Sequence, residues 1–219
     1  MISLVVAARG GPRSKSRCAD ALDGVQRTAL TEAMLRDMLA AAGRAPGVSE
    51  VVVVTPTEAL AHLAATAGAR VIRQGRRGLN AAFNQALDEL AGQTPDGTVA
   101  LLPGDLPLLD PDDLSRAVAL AATHDVVLTP ALDRGTGAIL IRPQARFALA
   151  FGQSSFTRHE RAARQRGLSV AVFACDSLGL DVDTPDDLHA VLRRGPATYT
   201  ADFLRQVLAP EPPAVCAAE

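Results

Sequence analysis

The side chains best suited to handling a phosphate through a divalent metal are three aspartates, Asp105, Asp181 and Asp183. Asp105 stands in VALLPGDLPLL, just past an apolar run, Val99–Leu102, that stops at Pro103. Continuous apolar runs mark parallel strands covered on both faces, and ligands of open α/β sheets bind beyond the carboxyl ends of such strands. Asp181 and Asp183 stand in LDVDTPDDL, read as a strand end followed by a helix start. Mg²⁺ takes one or two carboxylates and completes its shell with water and substrate phosphates, so two acidic loops meeting at one sheet edge would suit it. Both loops also have plainer readings. Asp105 could serve only to shape a Gly-Asp turn. Asp183-Thr184-Pro185 could be a helix cap with Pro in the first turn, where Asp186 and Asp187 favour the helix dipole.

Three further loops carry polar chemistry. Arg9–Arg17, RGGPRSKSR, pairs Gly10 and Gly11 with Arg9, Arg13, Lys15 and Arg17. Glycines let the backbone approach an anion, and the four cations would neutralise a triphosphate; the plainer reading is a solvated basic loop. The loop matches neither the Walker pattern nor the dinucleotide fingerprint. Gly78-Leu79-Asn80 opens a helix; Asn80 is either its cap or an amide that reads a base edge or fixes a ribose. Phe151–Ser155, FGQSS, precedes a helix expected from Thr157. There Ser154 and Ser155 are either caps or part of a helix N-terminus that binds phosphate or carboxylate.

The elements that must position these loops follow from periodicity. Ile2–Ala8, Val51–Val54, Arg70–Ile72, Val99–Leu102, Val126–Leu128, Ala138–Ile141 and Val170–Phe173 read as strands. Helices are expected over Val25–Ala42, Pro56–Ala67 with Thr55 as cap, from Asn80 to Leu90, Pro111–Ala122 and Thr157–Arg166. Strands and helices alternate, which argues for βαβ units and a mainly parallel sheet in an α/β sandwich. Residues 1–207 are expected to form one domain, with about 133–176 an elaboration on the sheet and 208–219 a disordered tail.

Composition narrows the classes. The chain has 219 residues and 48% hydrophobic content, which suits an ordinary globular core. A net charge of −2, one Tyr and no Trp argue against nucleic acid or a membrane surface as partner. No apolar run is long enough to span a membrane, and the strand-like start is too short for a signal peptide. Cys18, Cys175 and Cys216 show neither metal spacing nor a disulfide framework, as expected of thiols in a reducing cytoplasm. The oligomeric state stays open, a homodimer included.

The ordered series of motifs resembles the GT-A-like nucleotidyltransferases, and within them the CofC/FbiD guanylyltransferases of coenzyme F420 biosynthesis. The matching segments are KSR (Lys15–Arg17), the helix Arg27–Asp37, VVTP (Val53–Pro56), GLNAA (Gly78–Ala82) and PGDLPLL (Pro103–Leu109). GTG (Gly135–Gly137), FGQSS (Phe151–Ser155) and DVDTPDDL (Asp181–Leu188) complete the series. The resemblance implies a three-layer α/β/α sandwich of the nucleotide-diphospho-sugar transferase type. It implies transfer of GMP from GTP to a small three-carbon phospho-acid: phosphoenolpyruvate, 2-phospholactate or 3-phosphoglycerate. It gives catalytic roles to Lys15, Asp105 and Asp183, with Mg²⁺ (or Mn²⁺) on Asp105, Asp183 and Asp181. The nucleotide would rest on Arg9, Gly10, Lys15, Arg17, Gly78 and Asn80, and the acceptor on Thr136, Gly152 and Ser155. The chain departs from the family pattern at Arg9, where a Lys is expected, and at Ala138, where many members carry a hydroxyl. The rival readings are a molybdopterin-type nucleotidyltransferase, a small glycosyltransferase, or a catalytically silent nucleotide-binding protein.

Overall fold

The computed structural model describes residues 2–92, 97–195 and 197–208. In chain order the elements begin β1 (Ile2–Ala7), α1 (Gly24–Ala42), β2 (Val48–Thr55), α2 (Glu58–Thr66), β3 (Arg70–Arg73), α3 (Leu79–Ala91), β4 (Thr98–Pro103) and α4 (Pro111–Leu120). They continue with β5 (Val126–Pro130), β6 (Thr136–Ile141), α5 (Ser155–Gln165), β7 (Val170–Val172), α6 (Asp176–Gly179), α7 (Pro185–Arg194) and α8 (Tyr199–Val207). The strands form one sheet in the order β3-β2-β1-β4-β6-β5-β7. β6 runs antiparallel to β4 and β5, and the remaining pairs are parallel. This is the mainly parallel mixed sheet expected from the sequence. β6, from the segment expected as an elaboration, lies inside the sheet between β4 and β5.

β1 shows why the layers form. All six of its residues are buried. Leu4 and Val6 face a core shared with Leu35 and Met38 of α1, Leu60 of α2 and Leu114 of α4. Val5 and Ala7 face a second core with Phe83 and Leu87 of α3 and Ala163 of α5. Strand residues alternate between faces, so an unbroken apolar run needs helices on both sides. A third cluster joins α1 to α7 and α8 through Leu30, Met34, Leu188, Val191 and Leu204.

Several boundaries differ from expectation. Thr55 does not cap α2. It belongs to β2, and its Oγ1 accepts from Thr57 N at 3.1 Å, so the helix starts two residues past Pro56. Asp181 and Asp183 do not alternate on a strand end: α6 precedes them, and a single ladder-like bond, Val182 N to Asp105 O at 3.1 Å, holds the segment. Neither α6 nor α8 was expected. The N-terminus of α8 is held from a distance, because Asp37 of α1 accepts from Tyr199 N (2.7 Å), Thr200 N (2.9 Å) and Thr200 Oγ1 (2.6 Å). Of the expected tail, only Leu208 falls within the described residues, and its amide bonds Leu204 O. Cys216 lies outside them.

Candidate active site

β1 is flanked by β2 on one side and β4 on the other, so strand order reverses there and a crevice opens beyond the carboxyl ends of β1 and β4. Gly104 fits this edge because it must lack a side chain. Its amide bonds Ala7 O at 2.9 Å, and a Cβ would lie 2.7 Å from that of Ala8. The tight crossing delivers Asp105 into the crevice. There Lys15 bridges two of the predicted acids: Nζ lies 2.5 Å from Asp105 Oδ2 and 2.9 Å from Asp183 Oδ1. Burial alone would lower the Lys15 pKa, but the two carboxylates outweigh it and hold the ammonium above the usual lysine range. Lys15 itself has left-handed backbone, φ +50°.

Asp187 sets the position of Asp183. Its carboxylate accepts from Asp183 N (3.0 Å), Thr184 N (2.8 Å) and Thr184 Oγ1 (2.8 Å), a capping arrangement at the start of α7. Asp181 is half-buried, and burial together with the nearby carboxylates of Asp105, Asp133 and Asp183 pushes its carboxyl up to about 7. Among the described residues no three such side chains are placed to enclose a metal. The donors nonetheless fit one. Asp105 Oδ1 is buried without a hydrogen-bond partner, and Asp105 and Asp183 share one buried ammonium with the Asp181 carboxyl close by, an excess of acidic groups that a hard divalent cation would balance.

The crevice widens into a cleft of about 1320 Å³. Arg9, Gly10, Lys15, Arg17, Gly78, Asp105 and Asp183 line it, as do Arg13, Arg76 and Arg77. Its basic loop is braced by Arg27, which donates to the carbonyls of Pro12, Ser14 and Leu22. The facing loop is braced by Gln74, donating to Arg76 O and Gly78 O, and by Gln85, which bonds Gly75 N and Arg73 O. The sequence assigns no role to Arg27, Gln74 or Gln85; Arg27 only opens one of the matching segments, and Gln74 only stands beside a Gly-rich loop.

Asn80 is not the cap of α3, whose cap position is Gly78 with φ +104°. Its Oδ1 accepts from Phe151 N at 2.8 Å and its Nδ2 donates to Phe151 O at 3.4 Å. The predicted nucleotide contact is thus an amide already committed to the FGQSS loop, outside the cleft lining. Thr136 and Ser155 are also not open to a ligand as expected. They are 5% and 0% exposed, and their hydroxyls pair at 2.8 Å beside His159. The Ser154 side chain makes no cap bond; the residue is exposed with φ +53°. Gly152, with φ +128°, is exposed as well.

Comparison with known proteins adds to this geometry. Residues 3–212 match the family described as guanylyl transferase CofC like. The chain is 48% identical over 208 residues to a 3-phospho-D-glycerate guanylyltransferase of Phenylobacterium zucineum, covering 93% of this chain and 95% of that one. It is 35% identical over 195 residues to a 2-phospho-L-lactate guanylyltransferase of Methanothermobacter thermautotrophicus (89% and 85% covered). It is 37% identical over 191 residues to a phosphoenolpyruvate guanylyltransferase of a Roseiflexus species (86% and 83% covered). Among solved structures, a nucleotidyl transferase of Methanothermobacter thermautotrophicus superposes with a TM-score of 0.63 at 19% identity, covering 94% and 99%. A Mycobacterium tuberculosis H37Rv protein, solved in complex with manganese, gives 0.56 at 21% identity, covering 88% and 97%.

Proposed function

The chain belongs to the CofC-like guanylyltransferase family, and from that premise we propose that it joins GMP from GTP to 3-phospho-D-glycerate, releasing pyrophosphate. The Lys15–Asp105–Asp183 cluster at the sheet edge is the observation that carries this reading. The choice of acceptor follows the 48% identity to a 3-phosphoglycerate enzyme, against 35% and 37% for the other two acceptors. The product would serve coenzyme F420 biosynthesis.

The reaction needs no protein nucleophile. An oxygen of the acceptor's phosphate forms a bond to the α-phosphorus of GTP. The bond from that phosphorus to the oxygen bridging the β-phosphate breaks, and pyrophosphate leaves with the electron pair. Arg9, Arg13 and Arg17 line the cleft as exposed residues, and their guanidinium forks suit triphosphate oxygens. Lys15 offers a buried, permanently charged ammonium to the charge that develops at the α-phosphorus. Asp105 and Asp183, with Asp181 nearby, would hold Mg²⁺, or Mn²⁺ in its place. Such an ion, when bound, supplies charge neutralisation and a template for both anions. Gly152–Ser154, exposed before the N-terminus of α5, would receive the acceptor's phosphate or carboxylate.

Pyrophosphate release should be measured with each nucleoside triphosphate against 3-phosphoglycerate, 2-phospholactate and phosphoenolpyruvate, with Mg²⁺ and with chelator. The expected result is turnover that depends on GTP and divalent metal, fastest with 3-phosphoglycerate. Asp105→Asn should cut it about 100-fold or more while melting as a folded protein. Absence of turnover with every pair would reject the reading, and wild-type activity in Asp105→Asn would remove that residue from the site.

A further inference from the structure

Residues 150–155 lead into α5, and the two ends of this segment are tied to opposite sides of one imidazole. His159 Nε2 accepts from Ala150 N at 2.7 Å. On its other side, Nδ1 lies 2.9 Å from Thr136 Oγ1, which lies 2.8 Å from Ser155 Oγ. A backbone amide can only donate, so Nε2 carries the lone pair and Nδ1 carries the proton, which goes to Thr136. The ring is fully buried, edge-on to Phe147 and Phe151.

Two more side chains brace the same stretch. Arg158 donates to Ala150 O (2.9 Å) and Gln153 O (2.8 Å), and Asn80 holds both backbone groups of Phe151. The middle of the segment, Gly152 to Ser154, stays exposed with two positive φ angles. A surface turn held this firmly from beneath, with its tip left bare, is a preorganised platform.

We propose that His159 is a positioning residue for the acceptor: by fixing the span between Ala150 and Ser155, it shapes the exposed Gly152–Ser154 backbone to receive the phospho-acid's anionic group. The proposal rests on the reading of this loop given above and adds a residue that touches neither substrate. Thr136 and Ser155 then work as linkers in the same brace.

The test compares wild type with His159→Gln and His159→Asn. A Gln amide lies near the Nε2 position and can keep the Ala150 bond, whereas Asn lies near Nδ1 and can keep the Thr136 bond, so each variant cuts one tie. Each should raise the KM for 3-phosphoglycerate at least tenfold and leave the KM for GTP within twofold. An unchanged acceptor KM, or both KM values rising together with a falling Tm, would overturn the proposal. Spectra of wild type with ¹⁵N-labelled histidine need no variant. They should show the Nδ1–H tautomer, and its signals should move on saturation with 3-phosphoglycerate but not with GTP alone; signals that stay still would overturn the proposal too. Wild type that never releases pyrophosphate with any phospho-acid would instead overturn the functional reading, and this proposal with it.

Discussion

Asp183 and Asp186 stand three residues apart and do different work. Asp183 pairs with Lys15 in the crevice, whereas Asp186 is exposed in the first turn of α7. Asp183→Ala is expected to abolish metal-dependent pyrophosphate release, whereas Asp186→Ala should keep activity and lose only about 0.3–1 kcal/mol of stability. Metal titrations of activity alongside urea melts check both. A larger activity loss at Asp186 would contradict the placement of Asp183. At this scale the sequence reveals residues that their chain neighbours mark out, not the partners they meet: the Lys15–Asp105 pair is 90 residues apart. Asp105 shows itself because an apolar run, a Pro and a Gly lead directly to it. Nothing local marks the bonds that Asn80 makes to Phe151, Thr136 to His159 and Ser155 to Thr136, and spacing carries no trace of them.

At the scale of elements, α5 carries a titratable group in its buried face. Burial, with Arg158 beside it, pushes His159 down to about 4 from an ordinary 6.5. Between these values the unfolded chain binds a proton that the folded protein refuses. The contribution is therefore present above pH 6.5 and is lost as pH falls towards 4, roughly 3 kcal/mol for a shift of this size. Asp37 acts in the opposite sense, since burial raises its carboxyl. His159→Phe isolates the histidine: urea denaturation at pH 7 and pH 4.5 should show a smaller loss of stability on acidification in the variant. An equal loss would assign the acid sensitivity elsewhere. The elements themselves were largely legible, because apolar runs and 3.6-residue periodicity are local signals. The 181–183 segment was misread because alternation of Asp, Val and Asp imitates a strand, yet it has only Asp105 O to pair with. α8 has a local cap, Thr198 Oγ1 accepting from Ala201 N at 3.0 Å, but the long-range hold of Asp37 on its first turn leaves no local signal.

For the whole molecule, that contact closes the chain. α8 packs on α1 and α7 through Ala201 and Leu204, and Asp37 receives three donors from its first turn. Asp37→Ala is expected to cost about 2–3 kcal/mol, since two helix amides and a hydroxyl lose a charged acceptor. Kinetic constants for both substrates should stay near wild type, as the contact lies outside the residues that line the cleft. Denaturant melts paired with steady-state kinetics decide this; a variant as stable as wild type would show that the cluster around Met34 and Leu204 suffices by itself.

The place of β6 has a consequence for how the chain is made. It sits between β4 and β5 yet is synthesised after both. While a ribosome is still short of Ile141, the four parallel strands can assemble, but β4 remains an unguarded edge whose centre, Val99–Leu102, is wholly apolar and buried in the finished fold. β5 meanwhile has neither of its sheet neighbours, β6 and β7. An open apolar edge invites pairing with other chains. Nascent chains halted before Ile141 are accordingly the species most exposed to aggregation and most dependent on chaperones; the arrival of one six-residue strand closes the β4 edge, and β7 later covers the far side of β5.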